Sequence, residues 1–229
     1  MGWIDQYRAA KDLPQTIPVF PLQGAILLPR ATLPLNVFEP RYLEMVQYVL
    51  REHRILGVIQ PKKEGNQTIE PESPSGKKVT LRSIGCAGRI SSFQEMDDGR
   101  IGITVTGIAR FDTVKEIDTS HPFRSFHVMY DRFNDDFTSA YGEEKVDRNN
   151  LLRVLKVYLK QNRLHADWKA IERASSESLI NALSVMAPYG SEEKQALLEA
   201  PDLKTRAEVL IALAEMEIAT SGGSGNTIQ

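Results

Sequence analysis

The sequence predicts an α+β protein, with a β-rich N-terminal lobe followed by a C-terminal helical bundle. Three observations lead there. Residues 17–61 pack strand, strand, helix and strand into one dense run of apolar residues and prolines. Apolar residues then recur with a period near two as far as Tyr130. Beyond the turn formers Asp131, Asp135, Asp136, Ser139 and Gly142 the period becomes that of a helix. The expected divisions are an N-terminal extension over 1–14, the β-rich lobe over 15–138, the helical lobe over 139–219 and an unstructured tail over 220–229.

Taken in order, residues 1–14 are polar and are expected to lie on the surface. Ile17 to Leu22 is a short strand, because Pro18 and Pro21 forbid a helix there. Leu33 to Phe38 is a second strand, with Leu35 and Phe38 assigned to the core. Pro40 suits the first turn of a helix, where its missing N–H has no intrahelical partner to lose. Tyr42, Met45, Val46 and Val49 then share one helix face. Arg54 to Ile59 reads as a buried strand, and the Lys-, Glu-, Pro- and Gly-rich stretch 62–78 as an exposed loop. Asp98-Gly99 between two strand-like runs predicts a hairpin with a type I′ turn. Ile101, Ile103 and Val105 mark its buried face, and the poor alternation of Ser91 to Gln94 predicts a bulge or an edge. Phe123 to Tyr130 completes the strands.

In the helical half, Leu151, Leu152, Leu155, Tyr158 and Leu159 form one stripe. Trp168, Ile171, Leu179, Leu183 and Met186 form a second, ending at Ala187-Pro188. Ser191 is expected to cap the next helix, with Glu192 and Glu193 in its first turn. Asp202 is expected to cap the last, whose face is Leu203, Leu210, Ile211, Ala214 and Ile218. The Gly- and Ser-rich residues from Thr220 have nothing to bury.

Phe20-Pro21-Leu22-Gln23-Gly24, and Leu33 through Tyr42 (L-P-L-N-V-F-E-P-R-Y), followed by a helix and a strand, resemble the N-terminal substrate-binding domain of ATP-dependent Lon proteases. Gly85 to Ile90, Gly107-Ile108-Ala109-Arg110-Phe111 and the helices after residue 142 extend the resemblance over roughly residues 15–219. It implies that the β-rich lobe is a PUA-like pseudo-barrel and that the domain binds unfolded or extended polypeptide. A protease or chaperone is the further partner it implies. It does not carry over the ATPase or Ser–Lys proteolytic activity of full-length Lon proteases, since neither module is present in these 229 residues.

The chemical inventory agrees with a non-catalytic protein. The sole Gly-Lys, Gly76-Lys77, lacks the upstream glycine of a phosphate-binding loop, where Pro71 stands. His53, His121, His127 and His165 have no ligand partner at helical spacing, and Cys86 is the only cysteine, so no metal site is expected. Asp97-Asp98 and Asp135-Asp136 are adjacent pairs that point apart, which makes them turn residues rather than acid–base groups. Glu39 and Arg41 are read as helix-end or pairing residues. No catalytic, cofactor-binding or metal residue is therefore assigned, and the polypeptide-binding residues are not identifiable. Cys86, set in Ile84-Gly85-Cys86-Ala87, reads as a small buried core residue. The composition is 41% hydrophobic and 25% charged, enough for a sizeable core. A net charge of −2 gives no general attraction for nucleic acid, so an RNA-binding PUA-like protein is the alternative and not the expectation. No stretch is long and apolar enough to span a membrane, no signal peptide is recognisable, and a cytoplasmic location is expected.

Overall fold

The computed structural model describes residues 6–62, 79–162 and 164–223. Six strands form one mixed sheet: β1 (Thr16–Pro21), β2 (Thr32–Val37), β3 (Ile55–Pro61), β4 (Leu81–Glu95), β5 (Ile101–Ile117) and β6 (Ser125–Met129). Their order is β2-β5-β4-β3-β1-β6, and β6 also pairs with β5, which closes five strands into a ring. Only β1 and β3 run parallel. The two long strands serve twice. Ile84 to Ala87 of β4 pair with Ala109 to Asp112 of β5 within the ring. Ser92 to Glu95 and Ile101 to Thr104 project beyond it, with β2 added along β5. The projection is a three-stranded apron on a filled barrel.

The barrel interior is apolar: Ile17, Val19, Ile59, Ala87, Phe111, Phe126 and Val128 pack inside it. Residues before Thr16 do more than lie on the surface. A short 3-10 helix (Ala10–Asp12) leads into Leu13, which is buried among the same residues, and Tyr130 Oη donates to Pro14 O at 3.0 Å. The opposite faces of these strands meet the helices in a second core. It joins Phe20, Leu56, Val58, Cys86 and Val105 to Leu151, Leu155, Ile180, Leu197 and Leu210. Ile26, Leu27 and Leu28, which no period singled out, are fully buried in it.

The helices are α1 (Pro40–Arg51), α2 (Arg148–Gln161), α3 (Trp168–Arg173), α4 (Ser176–Met186), α5 (Ser191–Glu199) and α6 (Leu203–Gly223). α1 buries Tyr42, Met45, Val46 and Val49, the face its spacing predicts. Asp202 caps α6 through the Thr205 N–H at 2.7 Å.

Several expectations are corrected. The stripe from Trp168 to Met186 is two helices, because Ser175 breaks it and caps α4 through the Ser178 N–H. Met186 is exposed. The cap of α5 is Gly190, so Ser191 is its first helical residue and makes no cap bond. α6 continues through Thr220, whose hydroxyl bonds Met216 O and Glu217 O. The hairpin turns at Asp98-Gly99, but only Gly99 has a positive φ, 80°. Gly99 N–H donates to Met96 O and Met96 N–H to Arg100 O, which makes a three-residue turn with a left-handed glycine rather than type I′. The bulge expected near Ser91 is present between Ile90 and Ser92. The predicted loop over 62–78 lies outside the described residues except for Lys62. Phe38 is the largest correction: it is 65% exposed, not a core residue, and Leu35 is half-buried.

Candidate functional site

Exposed apolar side chains and unpaired backbone coincide on the apron. The ladder between β2 and β5 sets which backbone groups are free. Gly107 N–H donates to Ala31 O at 2.9 Å, and the register runs on through Leu33↔Val105, Leu35↔Ile103 and Val37↔Ile101. Antiparallel hydrogen-bonded pairs alternate, so Leu33, Leu35 and Val37 bond β5 while Thr32, Pro34 and Asn36 turn their backbone groups outward. Pro34 agrees with this phase, since a proline is tolerated only where no ladder N–H is needed. Thr32, Pro34 and Asn36 are all exposed, and among the described residues β2 has no strand on its outer side. Gly107 makes the start of this ladder possible: a Cβ there would stand 2.0 Å from Leu28 O.

Beside the free edge lies a groove of about 430 Å³ lined by Pro34, Asn36, Ser92, Gln94, Gly102 and Thr104, with Phe93 at its side. Asn36, Gly102 and Gln94 are direct cross-strand neighbours, and the Met96 methyl reaches over the glycine, 3.1 Å from where a Cβ would stand. Phe93 is 49% exposed, and Phe38 follows β2 at the end where the hairpin turns. Glu95 and Asp97 stand exposed there, near half-buried Glu39. Arg100 bonds Asp98 and holds that carboxyl below its usual range. Arg41 bonds Glu39 at 2.6 Å, so these two residues pair with each other rather than capping α1 by a side chain.

Elsewhere the charged groups are spent on the fold. Arg110 is buried and makes a two-pronged bond to Asp136, at 2.9 and 2.8 Å, while its other nitrogen reaches Leu198 O and Ala200 O. Asp136 is thus the buried partner of Arg110 and not a turn residue alone; Asp135 beside it is exposed. Arg30, at a positive φ of 62°, bonds Glu177 and Asp136 O, and Asn181 bonds Pro29 O and Arg206. Gln60 joins β3 to α5 through Ser191 O and Gln195. These bonds tie the helices to the sheet.

The remaining sequence candidates also stay apart. His121 stacks on Phe123 and lies 3.3 Å from Glu44; His127 is half-buried in β6; His53 and His165 are exposed. Cys86 is fully buried, and burial pushes its thiol well up, so it is a core residue. Among the described residues no group of three or more His, Cys, Asp or Glu could hold a metal ion, and no helix is long and apolar enough to cross a membrane.

Comparison with known proteins sharpens the picture. Lon protease 2 of Myxococcus xanthus is 25% identical over 206 residues, spanning 89% of this chain and 24% of that protein. The Lon protease of Desulfosudis oleivorans is also 25% identical, over 89% of this chain and 24% of its own length. The chain spans about a quarter of the length of the curated relatives it matches. Two solved structures share the fold. A Lon N-terminal domain protein from Xanthomonas campestris has a TM-score of 0.58 at 21% identity, covering 87% of this chain and 98% of that one. The N-terminal domain of the Mycobacterium avium complex Lon protease has a TM-score of 0.59 at 15% identity, with the same coverage. The model of the ATP-dependent protease La (LON) substrate-binding domain matches residues 16–215, and the chain belongs to that family.

Proposed function

We propose that this protein is a non-catalytic module that binds unfolded or extended polypeptide on the β2–β5–β4 apron. One observation carries the placement: Phe38, 65% exposed, follows the strand that is outermost among the described residues, and Phe93, 49% exposed, stands on β4 two strands across the same apron. Aromatic side chains supply much apolar contact area for little lost conformational freedom, and they dominate binding energetics where they are solvent-facing in the free protein. Membership in the Lon substrate-binding domain family supports a protein substrate as the ligand class. A cytoplasmic protease or chaperone that receives the bound segment completes this reading. The acidic groups Glu39, Glu95, Asp97 and Asp98 around the apron count against RNA, whose phosphates need a basic surface.

A shallow site of this kind gives dissociation constants of about a micromolar order. The test is fluorescence anisotropy with a labelled, chemically unfolded protein and with single-stranded and hairpin RNA, each at low and moderate salt. The expected result is polypeptide binding that changes little with salt, weakened about tenfold or more by Phe38→Ser with Phe93→Ser. Salt-sensitive RNA binding without polypeptide binding would replace this reading with the RNA alternative. Full binding by the double variant would move the site off the apron.

A further inference from the structure

We infer that the polypeptide is held as an added strand on the outer edge of β2, through its backbone, with a preference for apolar segments that carry positive charge. This rests on the proposed polypeptide-binding function and specifies its mode. The β2 edge presents a row of acceptors, the carbonyls of Thr32, Pro34 and Asn36, and donors at Thr32 and Asn36. Only another extended backbone offers the matching alternation of donors and acceptors at the spacing of a strand. Backbone recognition is also indifferent to sequence, which suits a protein that takes many unfolded chains.

Two features narrow the occupant. Pro34 removes the donor in the middle of the edge, so two copies of β2 paired about a two-fold axis would each leave bonds unmade; proline at an edge discourages such self-pairing. A separate peptide meets this gap once and forms the remaining bonds. The second feature is charge. At the Val37 end of the sheet and on the hairpin beyond it, Glu39 pairs with Arg41 and Asp98 with Arg100, and Glu95 and Asp97 add two further negative charges (four against two). Among the described residues no ion pair engages Glu95 or Asp97. An extended segment with lysine or arginine between its apolar residues therefore fits better than an acidic one.

The outer edge of β4 is a competitor. It is shorter, because the bulge between Ile90 and Ser92 and the turn after Glu95 leave only Phe93 and Glu95 facing outward, two residues against three on β2.

The experiment uses the full chain and a labelled peptide that alternates valine with lysine and threonine. Two derivatives carry backbone N-methyl groups on alternate residues, one in each phase. The expected result is that one phase loses binding by about tenfold or more while the other stays within about twofold, since only one row of N–H groups faces β2. Equal binding by both phases would mean capture by side chains; it overturns the added-strand mode and leaves the polypeptide-binding function intact. Failure of the parent peptide and of unfolded protein alike would remove that function itself. On the protein side, Asn36→Pro deletes an outward N–H without touching the bonds to β5, and is expected to weaken the peptide while the melting midpoint holds. Loss with Phe93→Pro but not with Asn36→Pro would assign the strand to β4 and overturn the assignment. Replacing lysine by glutamate in the peptide is expected to weaken it at low salt and by less at moderate salt; indifference to that change removes the charge preference.

Discussion

The seam between barrel and helices and the apron treat polar groups in opposite ways. At the seam the guanidinium of Arg110 is buried with both oxygens of Asp136 and two carbonyls as partners. Asn181 fills its bonds with Pro29 O and Arg206. On the apron, backbone groups of Thr32, Pro34 and Asn36 turn outward, exposed Phe38 follows them, and exposed Phe93 stands on β4 across the same sheet. The seam is expensive to disturb and cannot accept a ligand without unmaking itself. The apron is cheap to alter and has binding capacity unspent. Stability and recognition are therefore carried by different residues of one sheet, and substitutions should separate them.

The largest separation is expected at the seam. Arg110→Ala leaves the Asp136 carboxylate buried without its partner, which costs about 3–5 kcal/mol, a large part of a typical domain's stability. Urea unfolding measures it. A double replacement, Arg110→Met with Asp136→Leu, removes both charges and should recover most of that loss. If the double variant is no more stable than Arg110→Ala, the carbonyl contacts to Leu198 and Ala200 matter more than the ion pair.

A smaller effect follows from Lys194. Its side chain is buried and donates to Ser184 O and Val185 O at the end of α4, with no acidic partner among the described residues. Burial lowers its pKa from 10.5 to about 8. Between those values the unfolded chain binds more protons than the folded one, so this group makes stability rise with pH across that window. Below pH 8 both states are charged and the folded state carries the full desolvation cost. The raised hydroxyl pKa values of Tyr130 and Tyr189, also due first to burial, act oppositely above pH 10. The stability of the parent minus that of Lys194→Met should thus increase by about 2 kcal/mol from pH 7.5 to 10. A flat difference would mean that water reaches the ammonium.

The smallest stability effect belongs to the apron. Phe38→Ser should move the unfolding free energy by no more than about 0.5 kcal/mol, as for other exposed positions, although it lies in the middle of the family signature. Leu35→Asp should cost more, because Leu35 is half-buried opposite Ile103. Equal losses at the two positions would place Phe38 in the core after all.

Most of the strands and helices were legible because each has one wet face and one dry face, as along Ile101, Ile103 and Val105 or along α1. The misses have a common origin. Ile26 to Leu28 are buried on an irregular segment with no period to detect. Phe38 follows an alternating strand, yet it falls past the last ladder pair, Val37↔Ile101, where nothing covers it. Arg110 and Asp136 are 26 residues apart, and neither residue carries a local sign that it will be buried with the other. The free edge of β2 was invisible for the same reason: which strand lies outermost depends on long-range pairing. Pro34 was the available signal, since a proline within a strand argues for an edge.

The central claim is that polypeptide binds the apron and leaves the seam alone. Amide hydrogen exchange, read residue by residue with and without the valine–lysine–threonine peptide, tests it most directly. The account predicts slowed exchange at the outward amides of Thr32 and Asn36, with no change at Arg110. Peptide binding that leaves Thr32 and Asn36 unchanged, or that protects the helices of the seam instead, would contradict it.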